Sequence, residues 1–248
     1  MASIPFALQL YTVRDHMEKD AAATLKRVKD MGCDHVELAG AAGRTPKEFK
    51  TMLDNAGLTP VSSHYGMENL ADGVDEAVRE AETYGIRYLV VPWVKADTAA
   101  GWLDIAAQLD KAGAALRGHG IQLCYHNHAH EFERYDGEFA FTLLMTGSRP
   151  ENLAAEIDTY WVKYGGEDPV AVINQYTGRC PLLHIKDMAA DEARSFAEVG
   201  RGVIDWKPVF AAGYNAGAEW YIVEQDTCPG DSLECARASV EFMKQQAF

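Results

Sequence analysis

Short apolar runs recur along the chain, most of them closing on a polar or aromatic residue: PFALQLY, DHVEL, LTPVSSH, RYLVVPW, IQLCYHN, LAAEID, PLLHIK and EWYIVEQ. Their length and their β-branched and aromatic content predict strands. Successive runs end roughly 26 to 40 residues apart, the span of one strand, one helix and two loops. The segments between them follow the helical period instead. In DAAATLKRVKDMG, Leu25, Val28 and Met31 share a face while the lysines and Arg27 point away. TPKEFKTMLDNAG opens with Thr45 as N-cap, Pro46 at the first helical position and Glu48 three residues after the cap, a capping box. Longer amphipathic helices are predicted over 69–84 and 97–116, and SLECARASVEFMKQQ supplies a last one. Gly32, Gly57, Gly85, Gly120 and Gly217 stand at the entries to strands, where helices end in a left-handed residue.

Eight such units in 248 residues match the count and size of a single (β/α)8 TIM barrel domain covering 1–248. A doubly wound open sheet would carry a glycine-rich phosphate loop after its first strand, and LQLYTVRD has none. In a barrel the chemistry sits at the C-terminal face of the strands. Read in order, those ends are Gln9 and Tyr11, Glu37, His64, Trp93, the stretch His126 to Glu131, Asp158, His184 with Lys186, and Glu224 with Asp226. Polar ends on apolar strands are the asymmetry expected of an active-site face.

The charge narrows the chemistry. With 37 acidic against 23 basic residues, the net charge is −14 and there is no basic block. Such a surface repels phosphate backbones, so no nucleic-acid partner is expected, and the HNH at 126–128 is too short to argue otherwise. No GxSxG, Walker or Rossmann glycine pattern is present. Five cysteines without a CxxC pair read as reduced thiols. No apolar run approaches the roughly 20 residues of a membrane span, and MASIPFALQLYTVRD reads as a first strand rather than a signal peptide. The expected location is cytoplasmic, without a membrane partner. A barrel of this size also allows a homo-oligomer.

Glu131, Asp158, His184 and Glu224 are the candidate metal ligands, one from each of strands five to eight. Three carboxylates and one imidazole suit one divalent ion, manganese first, with magnesium, cobalt or zinc as alternatives. His126 and His128 alternate along strand five and face the same side. Spacing leaves open whether Glu131, His126 or His128 is the ligand there; Glu131 is favoured, with the histidines as substrate or supporting groups. Glu37, His64, Lys186 and Arg201 are further substrate-binding candidates, Lys186 for an oxyanion or hydroxyl and Arg201 for an anion. Trp93 and Trp161 are candidates to wall a sugar ring.

LQLYTVRD, GCDHVELAG, YHNHAHEF, EIDTYWV, HIKD, VGRGVIDW and IVEQD, in this order, resemble the sugar phosphate isomerase/epimerase family of xylose isomerase-like barrels over essentially the whole chain. The resemblance implies one divalent metal on strands five to eight and two glutamates, here Glu131 and Glu224, moving protons on either side of a ketose. Relatives with sugar 3-epimerase activity place a glutamate nearer the end of strand five, where this chain has Tyr125 and His126. The expected activity is isomerisation or epimerisation of a keto-sugar or related polyol, by proton abstraction next to a carbonyl and a metal-stabilised enediolate. The alternative is a lyase of the same fold, such as a keto-inositol dehydratase or an enzyme eliminating from 3-keto-glycosides. An endonuclease IV-like phosphodiesterase and a non-catalytic binding protein rank below both.

Overall fold

In the computed structural model, which describes residues 4–246, eight parallel strands form one closed barrel. They are β1 (Phe6–Gln9), β2 (His35–Leu38), β3 (Thr59–His64), β4 (Tyr88–Val91), β5 (Gln122–His126), β6 (Leu153–Asp158), β7 (Leu182–Ile185) and β8 (Trp220–Val223). Each strand pairs with its neighbours in the chain, and β8 closes on β1 through Phe6↔Tyr221 and Leu8↔Val223. Every strand read from the apolar runs is present.

The helices outside the barrel are α1 (Arg14–Asp30), α2 (Pro46–Ala56), α3 (Asp75–Tyr84), α4 (Ala99–Arg117), α5 (Ala140–Thr146), α6 (Thr159–Tyr164), α7 (Pro169–Gln175), α8 (Trp206–Ala216) and α9 (Ser232–Lys244). The capping box at α2 is made: Glu48 Oε2 accepts from the Thr45 N–H at 2.9 Å, and Thr45 Oγ1 accepts from the Glu48 N–H. Gly57 ends that helix at φ 73°, a conformation costly for any residue with a Cβ. The helix expected over 69–84 is shorter. A 3-10 turn at Met67–Leu70 precedes α3, and Gly73 at φ +122° breaks the path between them. Helix α1 starts before DAAATLKRVKDMG and kinks at Asp20, whose carboxylate then accepts from the Ala23 N–H. Among the described residues no helix is long and apolar enough to cross a membrane.

Because strand side chains alternate between two faces, the barrel wall divides two cores. Leu8, Leu38, Leu89, Leu123, Ile157, Leu183 and Val223 face the helices in one continuous cluster. Ala7, Val61, Tyr88, Val90, Cys124, Ala154, Leu182 and Ile222 fill the barrel floor. The pairing of β2 with β3 slips between Val36 and Glu37, a bulge that skips Val61. The extra residue lets Val61 join the floor while Ser62 still meets Glu37. One inward step beyond the floor, the residues turn polar: Gln9, His126, Glu156, His184 and Glu224, all buried. The strand period thus stacks an acidic and imidazole layer on an apolar plug.

Candidate active site

Two groups of four side chains, sharing His184, occupy that polar layer. The upper group is His126, Asp158, His184 and Glu224; the lower is Glu37, His64, Glu156 and His184. Within each group the four candidate ligand atoms lie within 4.8 Å of one another. In the upper group His126 Nε2 lies 3.2 Å from Asp158 Oδ2, and His184 Nδ1 lies 3.0 Å from Glu224 Oε2. Below, His184 Nε2 approaches Glu37 Oε2 at 2.7 Å and Glu156 Oε2 at 3.2 Å.

Asp158, His184 and Glu224 are therefore brought together as the strand ends suggested, but Glu131 is not among them. Its side chain is buried instead against Tyr125, a residue of the helix-side cluster. Oε1 accepts from Tyr125 Oη at 2.5 Å and Oε2 from the His128 N–H at 2.8 Å. Burial raises its pKa despite these bonds and the nearby His130. The strand-five member of the upper group is His126, which shares the inward parity of Cys124, whereas Tyr125 and its partner Glu131 belong to the outer face.

Lys186 is the group's central cation. Its ammonium, 1 % exposed, contacts Glu224 Oε2 at 2.7 Å, Asp158 Oδ2 at 3.1 Å and Asp226 Oδ1 at 2.6 Å. Burial works against its charge, but the three carboxylates outweigh burial and raise its pKa. Reciprocally, burial would lift Asp158, yet Lys186 and His126 bring it down to about 2, and Glu224 is likewise held well below the usual carboxylate range. Asp226 goes the other way, to about 6, through burial and the Glu224 charge. His128 is lowered to about 2 by burial and by His126 and Lys186, so its ring is neutral.

Above the layer opens a cavity of about 380 Å³ lined by Tyr11, His64, Trp93, His126, His128, Lys186, Glu224 and Asp226, among others. Trp93 is 54 % exposed and Tyr11 42 %, so two aromatic faces border the mouth. Of the expected substrate contacts, His64, Trp93, His126, His128 and Lys186 line this cavity. Glu37 lies beneath it, fully buried. Trp161 stands behind, its ring 5.1 Å from that of His128 and 5.6 Å from Lys186 Nζ. Arg201 is not brought to the site. It lines a separate cavity with Glu198, Glu234 and Arg237, and its exposed side chain lies 3.9 Å from Glu198. VGRGVIDW serves Asp187 instead: that carboxylate accepts from the N–H groups of Gly200, Gly202 and Ile204 and from Trp206 Nε1.

Two residues at the site, Glu156 and Ser62, escaped the reading of strand ends, which did name Gln9. Glu156 lies one inward step before Asp158, fully buried, and its Oε1 has no hydrogen-bond partner. Ser62 donates to Glu37 Oε1 at 2.6 Å, and Gln9 donates to Glu37 Oε2 at 2.7 Å. Period-two counting back from the strand ends would have found Glu156 and Ser62.

The upper donor set of two imidazoles and two carboxylates fits a divalent metal ion. Its histidine also has the outer partners typical of a metal ligand: with Nδ1 toward the group, His184 Nε2 is placed to donate to Glu37.

These features can be set beside known proteins. The xylose isomerase-like TIM barrel model matches residues 25–246. Inosose dehydratase from Lacticaseibacillus casei is 29% identical over 161 residues, which are 57% of this chain and 53% of that protein. The chain thus spans about half the length of the curated relatives it matches. A sugar phosphate isomerase/epimerase from Parabacteroides distasonis shares the fold with a TM-score of 0.86, over 98% of this chain and 94% of that one, at 23% identity. The IolI protein, solved with a zinc atom, superposes with a TM-score of 0.72 over 96% of both chains at 13% identity. The match over most of the chain bears out the resemblance seen in the motifs: this protein belongs to the xylose isomerase-like TIM barrel family.

Proposed function

We propose that the protein is a metal-dependent lyase that removes water, or an alcohol, from a keto-polyol such as a keto-inositol or keto-sugar. The observation that carries this reading is the strand-five corner. Epimerisation or isomerisation by two opposed glutamates needs a second carboxylate facing Glu224. Here His126 occupies that corner, and Glu131 is engaged by Tyr125 and the His128 N–H on the far side of the wall. Elimination needs one base next to the carbonyl and one proton donor near the leaving oxygen. The inosose dehydratases among the relatives support the same choice.

His126, Asp158, His184 and Glu224 would hold the ion, and two imidazoles shift the preference from magnesium toward manganese, cobalt or zinc. A divalent ion there supplies Lewis-acid polarisation of the carbonyl oxygen. Glu224, at the cavity floor and kept ionised by Lys186 and His184, is the base for the adjacent C–H. Lys186, paired with Asp226 at 2.6 Å, is the proton donor at the leaving oxygen. His128 and His64 position hydroxyls from the cavity wall, and Trp93 and Tyr11 offer apolar faces to the ring.

The test is incubation of the manganese-loaded protein with a keto-inositol, a 3-keto-glycoside and a ketose in deuterated water. Loss of water or of the aglycone, with an enone absorbance, is expected. A ketose returned at full mass carrying deuterium would favour the isomerase or epimerase reading, and no turnover of any of the three would overturn the lyase.

A further inference from the structure

The proposed reaction gives no role to Glu37 and Glu156 of the lower group, although both are fully buried. Glu37, Glu156 and His184 are fully buried, and the His64 side chain is 15 % exposed. His64 Nε2 lies 3.2 Å from both Glu37 Oε2 and Glu156 Oε2, and His184 Nε2 lies 2.7 and 3.2 Å from the same two oxygens. Zinc bonds of about 2.0–2.2 Å in a tetrahedron place neighbouring ligand atoms about 3.3–3.6 Å apart. Three of the four separations are already within a few tenths of an ångström of that edge.

We propose that Glu37, His64, Glu156 and the Nε2 of His184 form a second divalent-cation position of the zinc class, beneath the one the reaction uses. Three further observations support it. The ammonium of Lys186 pairs with Asp158, Glu224 and Asp226, whereas among the described residues Glu37 and Glu156 form ion pairs with histidines alone. Glu156 Oε1 is buried without a partner, a cost that a bidentate carboxylate on a cation would remove. Glu37 is held from behind by Ser62 and Gln9, and Gln9 in turn accepts from the Tyr11 N–H, the kind of outer support that orients metal ligands.

Four protein ligands, three of them fully buried, define a closed, structural ion. It also settles the use of His184. A neutral imidazole has one lone pair, so a lower ion on Nε2 leaves the Nδ1 hydrogen to donate to Glu224 at 3.0 Å. With both positions filled, the upper ion would give up His184 and keep His126, Asp158 and Glu224, three protein ligands with room for substrate, as open catalytic sites do. The lower position does not depend on which reaction the upper one performs.

The experiment is zinc counting on chelator-stripped protein reloaded with zinc and desalted. Asp158→Asn, which still caps α6 through its side-chain oxygen, disables the upper group alone; Glu156→Gln disables the lower. Asp158→Asn is expected to retain one zinc per chain, and the double variant at least tenfold less. Glu156→Gln alone keeps the upper ion if that position exists, so each position is scored separately. A zinc-free Asp158→Asn protein with native circular dichroism, or a double variant that binds as Asp158→Asn does, overturns the proposal. Should Asp158→Asn not fold, anomalous scattering from zinc-soaked wild-type crystals decides it: a peak among Glu37, His64, Glu156 and His184 supports the position, and peaks confined to the upper group refute it.

Discussion

Replacing Asp187 with Asn removes one charge and changes almost no volume, yet it should be among the more damaging substitutions in the chain. Oδ1 accepts from the N–H groups of Met188 at 2.8 Å and Ile204 at 3.2 Å. Oδ2 accepts from Gly200, Gly202 and Trp206 Nε1, each at 3.0 Å. An asparagine has one oxygen, so at best it serves the three donors on the Oδ2 side and turns its NH2 toward the other two. Each buried donor left unsatisfied costs about 1–3 kcal/mol. Two of them give roughly 2–6 kcal/mol, before the weaker bonds to a neutral acceptor are counted. Water cannot easily repair the loss: the loop closes so tightly that a Cβ on Gly202 would lie 2.2 Å from Oδ1. For a domain of this size the expected fall in Tm is roughly 4–24 °C. Differential scanning calorimetry of stripped and metal-loaded protein measures it, with hydrogen exchange at 200–206 reporting whether the loop opens first. An Asn variant within about 2 °C of wild type and unchanged exchange at Gly200 and Gly202 would refute the reasoning.

Glu224→Gln should lower turnover by about 10²–10⁴, the range for loss of a general base, with unchanged far-UV circular dichroism; near-wild-type turnover removes Glu224 from the mechanism. His126→Ala should weaken manganese binding, measured by titration calorimetry, whereas Tyr125→Phe should leave it unchanged and lower stability by about 1–3 kcal/mol through the lost partner of buried Glu131; the reverse pattern would restore Glu131 as the ligand. In the metal-free protein, burial opposes charge on His64, but Glu37 and Glu156 outweigh it and raise its pKa to about 10. The stability from this raised pKa is complete below about pH 6.5 and is lost as pH rises toward 10. Stripped protein should therefore lose Tm over that window, and metal uptake at neutral pH should release protons and tighten as pH rises, which titration in buffers of different ionisation enthalpy would detect. A flat Tm profile and metal uptake without proton release would show that these histidines are neutral before metal binds.

The barrel was legible because most strands present an apolar face to the helices while the other face carries the floor. Leu8, Leu123, Ile157 and Leu183 mark that outer face, and no glycine-rich loop competes with the reading. The helices were less legible where glycine interrupts amphipathic sequence. The run from Asn69 to Tyr84 keeps helical spacing, but Asp72–Gly73 offers the backbone a left-handed turn, and tertiary packing uses it. Arg201 misled for a different reason. A glycine-flanked arginine before a helix has the composition of an anion site, but the glycines are there to bring their N–H groups onto Asp187. The arginine side chain stays outside, beside Glu198.

Where the strand ends agree with the observed grouping and where they depart from it have one geometric cause. A residue inside a strand inherits its face from its neighbours two away, so Cys124 on the floor assigns His126 to the interior, and Ala154 assigns Glu156 and then Asp158. A residue past the strand end inherits nothing. Glu131 stands five residues after His126, inside a 3-10 turn over His130–Phe132, and its direction is set by Tyr125 and the His128 N–H rather than by parity. Strand ends alone therefore name too few ligands on long strands and too many on the loops. Applied to β6, parity gives two carboxylates where the end gives one, and those two fall on opposite sides of His184: Asp158 3.8 Å from Nδ1, Glu156 3.2 Å from Nε2. One strand thus feeds both groups of four. A change in the length of β6 by a single residue would turn both carboxylates out of the barrel together, whereas the same change in the loop that carries Glu131 would leave both groups whole.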